Sequence, residues 1–220
     1  MTTTPKIWAS HIMFDTRLQS TFFEYDYGKG DPEKSKKAVE ILHRYRKWQP
    51  LEVNEVPDKM FLKVSFLTEK EKMAFGDVFR ISGGLTIISE RFANLLKDFD
   101  LGATQLFEIP LFDYDQETQR PGKYYLLNVA ETKPCFIPEQ SRHAVPGKYT
   151  AVGTWRLWGI DEVAVLSTAQ DGADMWADPV LKEVIFMSDR LVKAIKAAKL
   201  TPDVSYSSEI LAPCKIVVPN

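Results

Sequence analysis

Apolar and polar positions fall into two copies of one pattern. In the first copy Ile87 and Ile88 end an apolar stretch, and Ser89 stands where its side-chain oxygen can cap a helix. Phe92, Leu95, Leu96 and Phe99 then recur at the spacing of a single helical stripe, and Gly102 supplies a stop. The second copy runs Ile185-Phe186-Met187-Ser188-Asp189-Arg190-Leu191 and carries its stripe on Leu191, Ala194, Ile195 and Ala198. Without a gap, Ser89 aligns with Ser188, Glu90 with Asp189, Arg91 with Arg190, Lys97 with Lys196 and Leu101 with Leu200. The pattern predicts two related strand–cap–helix modules, placed over 76–134 and 147–212.

The remaining pattern fills in around them. Residues 1–75 form an aromatic-rich region with short strands expected near 7–8, 12–14, 21–27 and 61–67. Its one helix starts at Asp31-Pro32, where proline suits the first helical position, and presents Ala38, Ile41, Leu42 and Tyr45 on one face. Residues 104–109 and 124–129 read as a hairpin with a polar tip over 113–123. Residues 136–146, bearing proline, read as a linker between the halves. Residues 149–158 and 163–167 read as a strand pair turning at Gly159-Ile160-Asp161-Glu162, and short strands are expected at 204–211 and 215–218. The fold class is α+β, with a mainly antiparallel or mixed sheet and about three helices. The 1–75 and 76–220 regions are expected to form one compact unit.

Composition narrows the function. An apolar content of 45% with 26% charged residues over 220 residues is that of a soluble globular protein. A net charge of -2 gives no basic field for nucleic acid. No apolar run has the length of a membrane span, and residues 1–8 lack an apolar signal core. Cys135 and Cys214 are far apart and outside any CxxC pair, which suits reduced thiols in a cytoplasmic protein.

Candidate chemistry is sparse. His11, His43 and His143 show no metal-ligand spacing, and no nucleophile elbow accompanies His143. Ser82-Gly83-Gly84 fits neither phosphate-loop pattern. Asp113, Asp115 and Glu117 mimic the opening of a calcium loop, but Thr118 and Tyr124 stand where glycine and the bidentate glutamate are needed. No metal and no cofactor are therefore expected. Arg91 and Arg190 each place a cation in a first helical turn, against the macrodipole, and so call for a partner. That partner is either a structural carboxylate or carbonyl, or an anion held at the helix N-terminus. Trp8, Trp48, Trp155 and Trp158 read as packing residues, whereas Trp176, set among aspartates, reads as an exposed anchor.

The sequences Val78-Phe79-Arg80-Ile81, Ile88-Ser89-Glu90-Arg91-Phe92, Tyr124-Tyr125-Leu126-Leu127-Asn128-Val129 and Ile185-Phe186-Met187-Ser188-Asp189-Arg190-Leu191 resemble the immunity protein 11 family of bacterial polymorphic toxin systems. The resemblance covers about 76–200. It implies a cytoplasmic, non-enzymatic protein that binds a cognate toxin domain and occludes its active site or substrate entry. Carboxylates suit a basic toxin surface, so the expected contact residues are Asp113, Asp115, Glu117, Asp161, Glu162, Asp171, Asp174 and Trp176. Two alternatives remain: a stand-alone ligand-binding or structural interaction domain, and an enzyme whose site assembles only in three dimensions.

Overall fold

The computed structural model describes residues 6–13, 23–26, 30–63, 76–147, 153–200 and 211–219. The first part holds β1 (Ile7–Ser10), β2 (Phe23–Tyr25), α1 (Pro32–Tyr45) and β3 (Met60–Leu62). Next come β4 (Val78–Arg80), β5 (Thr86–Ser89), α2 (Glu90–Leu96), β6 (Gln105–Glu108), β7 (Leu111–Phe112) and β8 (Tyr124–Asn128). The last part holds β9 (Ala144–Pro146), β10 (Trp155–Leu157), β11 (Ala164–Leu166), β12 (Met175–Ala177), β13 (Ile185–Ser188), α3 (Asp189–Ala198), β14 (Leu211–Pro213) and β15 (Lys215–Val217).

Each module is built on a four-stranded antiparallel sheet. One has the order β4-β5-β8-β6 and the other β12-β13-β1-β14. In both, the second strand runs directly into its helix through a serine N-cap. Ser89 Oγ accepts from the Phe92 amide and Ser188 Oγ from the Leu191 amide, each at 3.2 Å. The fold is α+β, with α1, α2 and α3 set against antiparallel and mixed sheets.

Alternation along the second sheet explains its composition. Ile185 and Met187 of β13, with Met175 and Ala177 of β12, join a large core that includes Phe23, Tyr45, Ile87 and Leu126. Phe186 and Trp176 point the other way, into a second core with Ile7, Ala9, Cys135, Val163 and Val165. A sheet covered on both faces needs unbroken apolar strands, and Ile185-Phe186-Met187 is one. The large core also contains residues from both 1–75 and 76–220. Tyr45 fixes α1 to the first sheet, donating to the Leu127 carbonyl at 3.1 Å and accepting from the Thr86 amide at 3.0 Å.

Several local expectations change in the fold. The predicted pairing of 149–158 with 163–167 does not occur among the described residues. β10 pairs antiparallel with β9, the strand just before it, and β11 runs parallel to the remote β15. Residues 136–146 are more than a connection: Phe136 is buried, Pro138–Gln140 form a single 3-10 turn, and β9 belongs to a sheet. Ile12 and Met13 lie in a buried turn instead of a strand. α2 ends at Leu96, before Gly102, because Lys97 caps it and Phe99 lies in the turn beyond. The expected strand positions at 14, 21–22, 27, 64–67, 149–152 and 204–210 lie outside the described residues.

Candidate functional site

The two arginines sit in matching clusters. Asp77 follows the β4–β5 register opposite Ser89, and Asp174 follows the β12–β13 register opposite Ser188. In each case the serine amide donates to the aspartate carbonyl, at 3.0 Å and 2.9 Å. The serine hydroxyl, while capping its helix, donates to the aspartate carboxylate at 2.6 Å and 2.5 Å. Arg91 Nη1 then donates to Asp77 Oδ2 at 3.2 Å. Arg190 grips Asp174 with two donors, Nε to Oδ1 at 2.6 Å and Nη2 to Oδ2. The aspartates are 7% and 2% exposed, so each guanidinium supplies the opposite charge to a buried carboxylate. The neighbouring Asp174 carboxylate holds Arg190 above the usual guanidinium range.

The clusters also tie the modules together. Arg91 Nη2 donates to the carbonyls of Ala198 and Lys199 at the end of α3, where a cation meets the negative end of the helix. Arg190 lies over the Phe99 ring, just beyond α2. Asp174 Oδ2 accepts from the Asp100 amide at 3.0 Å, and the Asp174 amide donates to the Asp100 carbonyl at 2.6 Å.

The acidic contact candidates separate by burial. Asp174 is committed to its cluster. Trp176 is 1% exposed, stacked on Phe186 at 6.0 Å between centroids, with its indole N–H directed at Cys135 Sγ. The exposed-anchor expectation for Trp176 is corrected: the surrounding acidic loop folds inward. Lys133 Nζ does this by donating to the carbonyls of Ala169, Asp171 and Ala173 at 3.2, 2.7 and 2.8 Å while lying 4.0 Å from the centre of the Trp176 ring. Asp178, 2% exposed, accepts from the amides of Cys135, Phe136 and Val180 at 2.7, 2.8 and 2.9 Å.

At the hairpin tip, Asp113 pairs with Arg120 at 2.7 Å. Asp115 accepts from the amides of Glu117 and Thr118 and from the Thr118 hydroxyl, which holds its carboxyl below the usual range. Both carboxylates therefore shape the tip. Glu117 and Asp171 are exposed, as are Asp161 and Glu162, which share Arg142 at 3.7 Å and 3.4 Å. Among the tryptophans the exposed one is Trp158, at 82%. Sequence alone does not mark it, because an indole beside a short apolar strand has the same local pattern whether it packs inward or stands in solvent.

A hollow of about 290 Å³ opens between α1 and the 54–59 loop, lined by Lys34, Lys37, Ile41, Asp58 and Lys59 among others. Among the described residues no group of His, Cys, Asp or Glu could hold a metal ion. No described helix is long and apolar enough to cross a membrane.

No curated protein matches the chain. The family model of the Immunity protein family (Imm11) matches residues 25–205, which span α1, both helix-capping clusters and most of the two sheets. The chain belongs to the Imm11 immunity protein family.

Proposed function

We propose that the protein neutralises a cognate bacterial toxin, binding the toxin domain in the cytoplasm and occluding its active site or substrate entry. The observation that carries this reading is the family match over 25–205. The geometry is compatible with it. Arg91 with Asp77 and Arg190 with Asp174 are engaged in the clusters that join the modules, while Glu117, Asp161, Glu162 and Asp171 face outward. Outward-facing carboxylates suit a binding surface. Exposed carboxylates would speed association with a basic toxin surface and disfavour wrong partners.

The test is co-expression with the toxin encoded beside the gene, together with a pull-down from the native cell. Survival of toxin-expressing cells and a stoichiometric, salt-resistant complex are the expected results. Unrelieved toxicity with both proteins present would sink the reading.

A stand-alone ligand-binding domain is the second reading, favoured by the hollow beside α1, lined by Lys34, Lys37 and Lys59 as well as Asp26, Glu55 and Asp58. A thermal-shift screen of small anions would support it if one raised the melting temperature and substitution of Lys34 and Lys37 abolished the effect.

A further inference from the structure

We propose that Trp158, flanked by Asp161 and Glu162, is the anchor that enters the toxin domain, in a slot apolar at its base and basic at its rim. This inference rests on the immunity reading above.

Trp158 has the highest exposure, 82%, of the large apolar side chains described. Its backbone is nevertheless fixed. Leu157 and Ile160 on either side are buried in the second core, and the Trp158 amide approaches the His143 carbonyl at 3.4 Å. The indole is thus held out on a rigid base, where it can be buried by a partner with little loss of conformational freedom. Tryptophan is also among the residue types that dominate binding hot spots.

The surrounding loops are tightly specified. His143 (φ 62°) and Glu162 (φ 59°) both occupy the left-handed region although neither is glycine. Such conformations cost energy and persist where the surroundings over-determine them, commonly at functional surfaces. Here the Arg142 amide donates to the Glu162 carbonyl at 3.2 Å, joining the two strained turns.

The two carboxylates beside Trp158 suit a basic partner. Arg142 lies 3.7 Å from Asp161 and 3.4 Å from Glu162, and His143 Nε2 lies 3.6 Å from Asp161. Two carboxylates thus share one guanidinium, and all three side chains are more than half exposed. A rim of lysines or arginines on the toxin domain would complete their pairing, while an apolar slot takes the indole.

The experiment is a calorimetric titration of the purified toxin domain encoded beside the gene into the full-length protein. Trp158→Ala is expected to weaken binding about 30-fold or more, with an unchanged melting temperature. Asp161→Lys with Glu162→Lys is expected to slow association about tenfold at low salt, with a smaller effect at high salt. If the unsubstituted protein binds and Trp158→Ala binds equally well, the anchor is overturned and the immunity reading stands. If the unsubstituted protein does not bind, both fall.

Discussion

The guanidinium of Arg190 lies 5.4 Å from the centre of the Phe99 ring. By the alignment of the two modules, Phe99 is the counterpart of Ala198, whose carbonyl accepts from Arg91. Each module therefore extends its arginine to the same place on the other, one to a ring and one to a helix end. Arg91 and Arg190 are the cross-braces of a paired structure, each anchored on a buried aspartate.

Asp174→Ala should accordingly be costly. It removes the acceptor of Ser188 Oγ, of both Arg190 donors and of the Asp100 amide. A loss of about 3 kcal/mol is expected, measured by chemical denaturation. Arg190→Met should lower the melting temperature as well, since it leaves the Asp174 carboxylate buried without its cation. The double variant should lose less than the sum of the two singles.

Asp178→Ala strands the amides of Cys135, Phe136 and Val180. The expected cost is about 2–4 kcal/mol. Hydrogen exchange should localise the loss, with the amides of residues 135 and 136 gaining the most.

Cys135 is 2% exposed, and burial pushes its thiol up to about 12. It should resist thiol reagents in the native protein at pH 8 and react once the chain is unfolded. The linkage sign follows from the same shift. The unfolded thiol ionises near its ordinary value of about 9 while the folded thiol stays protonated. Above that pH the unfolded state holds fewer protons, so stability should fall as pH rises from about 9 toward 12. Denaturation midpoints across that range, compared with those of Cys135→Ala, check the prediction.

Lys133→Met removes one cation from three carbonyls and from the Trp176 ring. A stability loss of about 2 kcal/mol is expected, accompanied by faster proteolysis within 169–173. An unchanged cleavage pattern would show that the loop holds itself.

Local features were legible in the sequence. Asp31 with Pro32, Ser89 and Ser188 mark helix starts because capping involves residues only a few positions apart. The β6–β8 pair was legible for a similar reason: two strand-like runs flank one polar, turn-rich stretch. The aspartates that complete the arginine clusters were not. Asp77 precedes Ser89 by 12 positions and Asp174 precedes Ser188 by 14, so gapless alignment of the modules hides their equivalence. Trp158 is exposed and Trp176 buried, the reverse of expectation, because neighbouring charges in sequence do not reveal which way a loop folds. Lys133, distant in sequence, turns the Trp176 loop inward. The partners of β10 and β11 were equally hidden, since β9 and β15 come from either side of the segment.

The placement of β1 between β13 and β14 sets an order of events. The first sheet draws all four strands from 78–128 and can assemble from one contiguous stretch of chain. The second needs residues 7–10, 185–188 and 211–213 at once, and contacts so remote in sequence are slow to form. During synthesis β1 must wait for residues 185–188 and 211–213, with its hydrogen-bonding edges unsatisfied and open to pairing with another molecule. Full assembly of the paired modules therefore comes only after residues 211–213 have left the ribosome, which fixes the earliest moment at which a newly made copy can be complete.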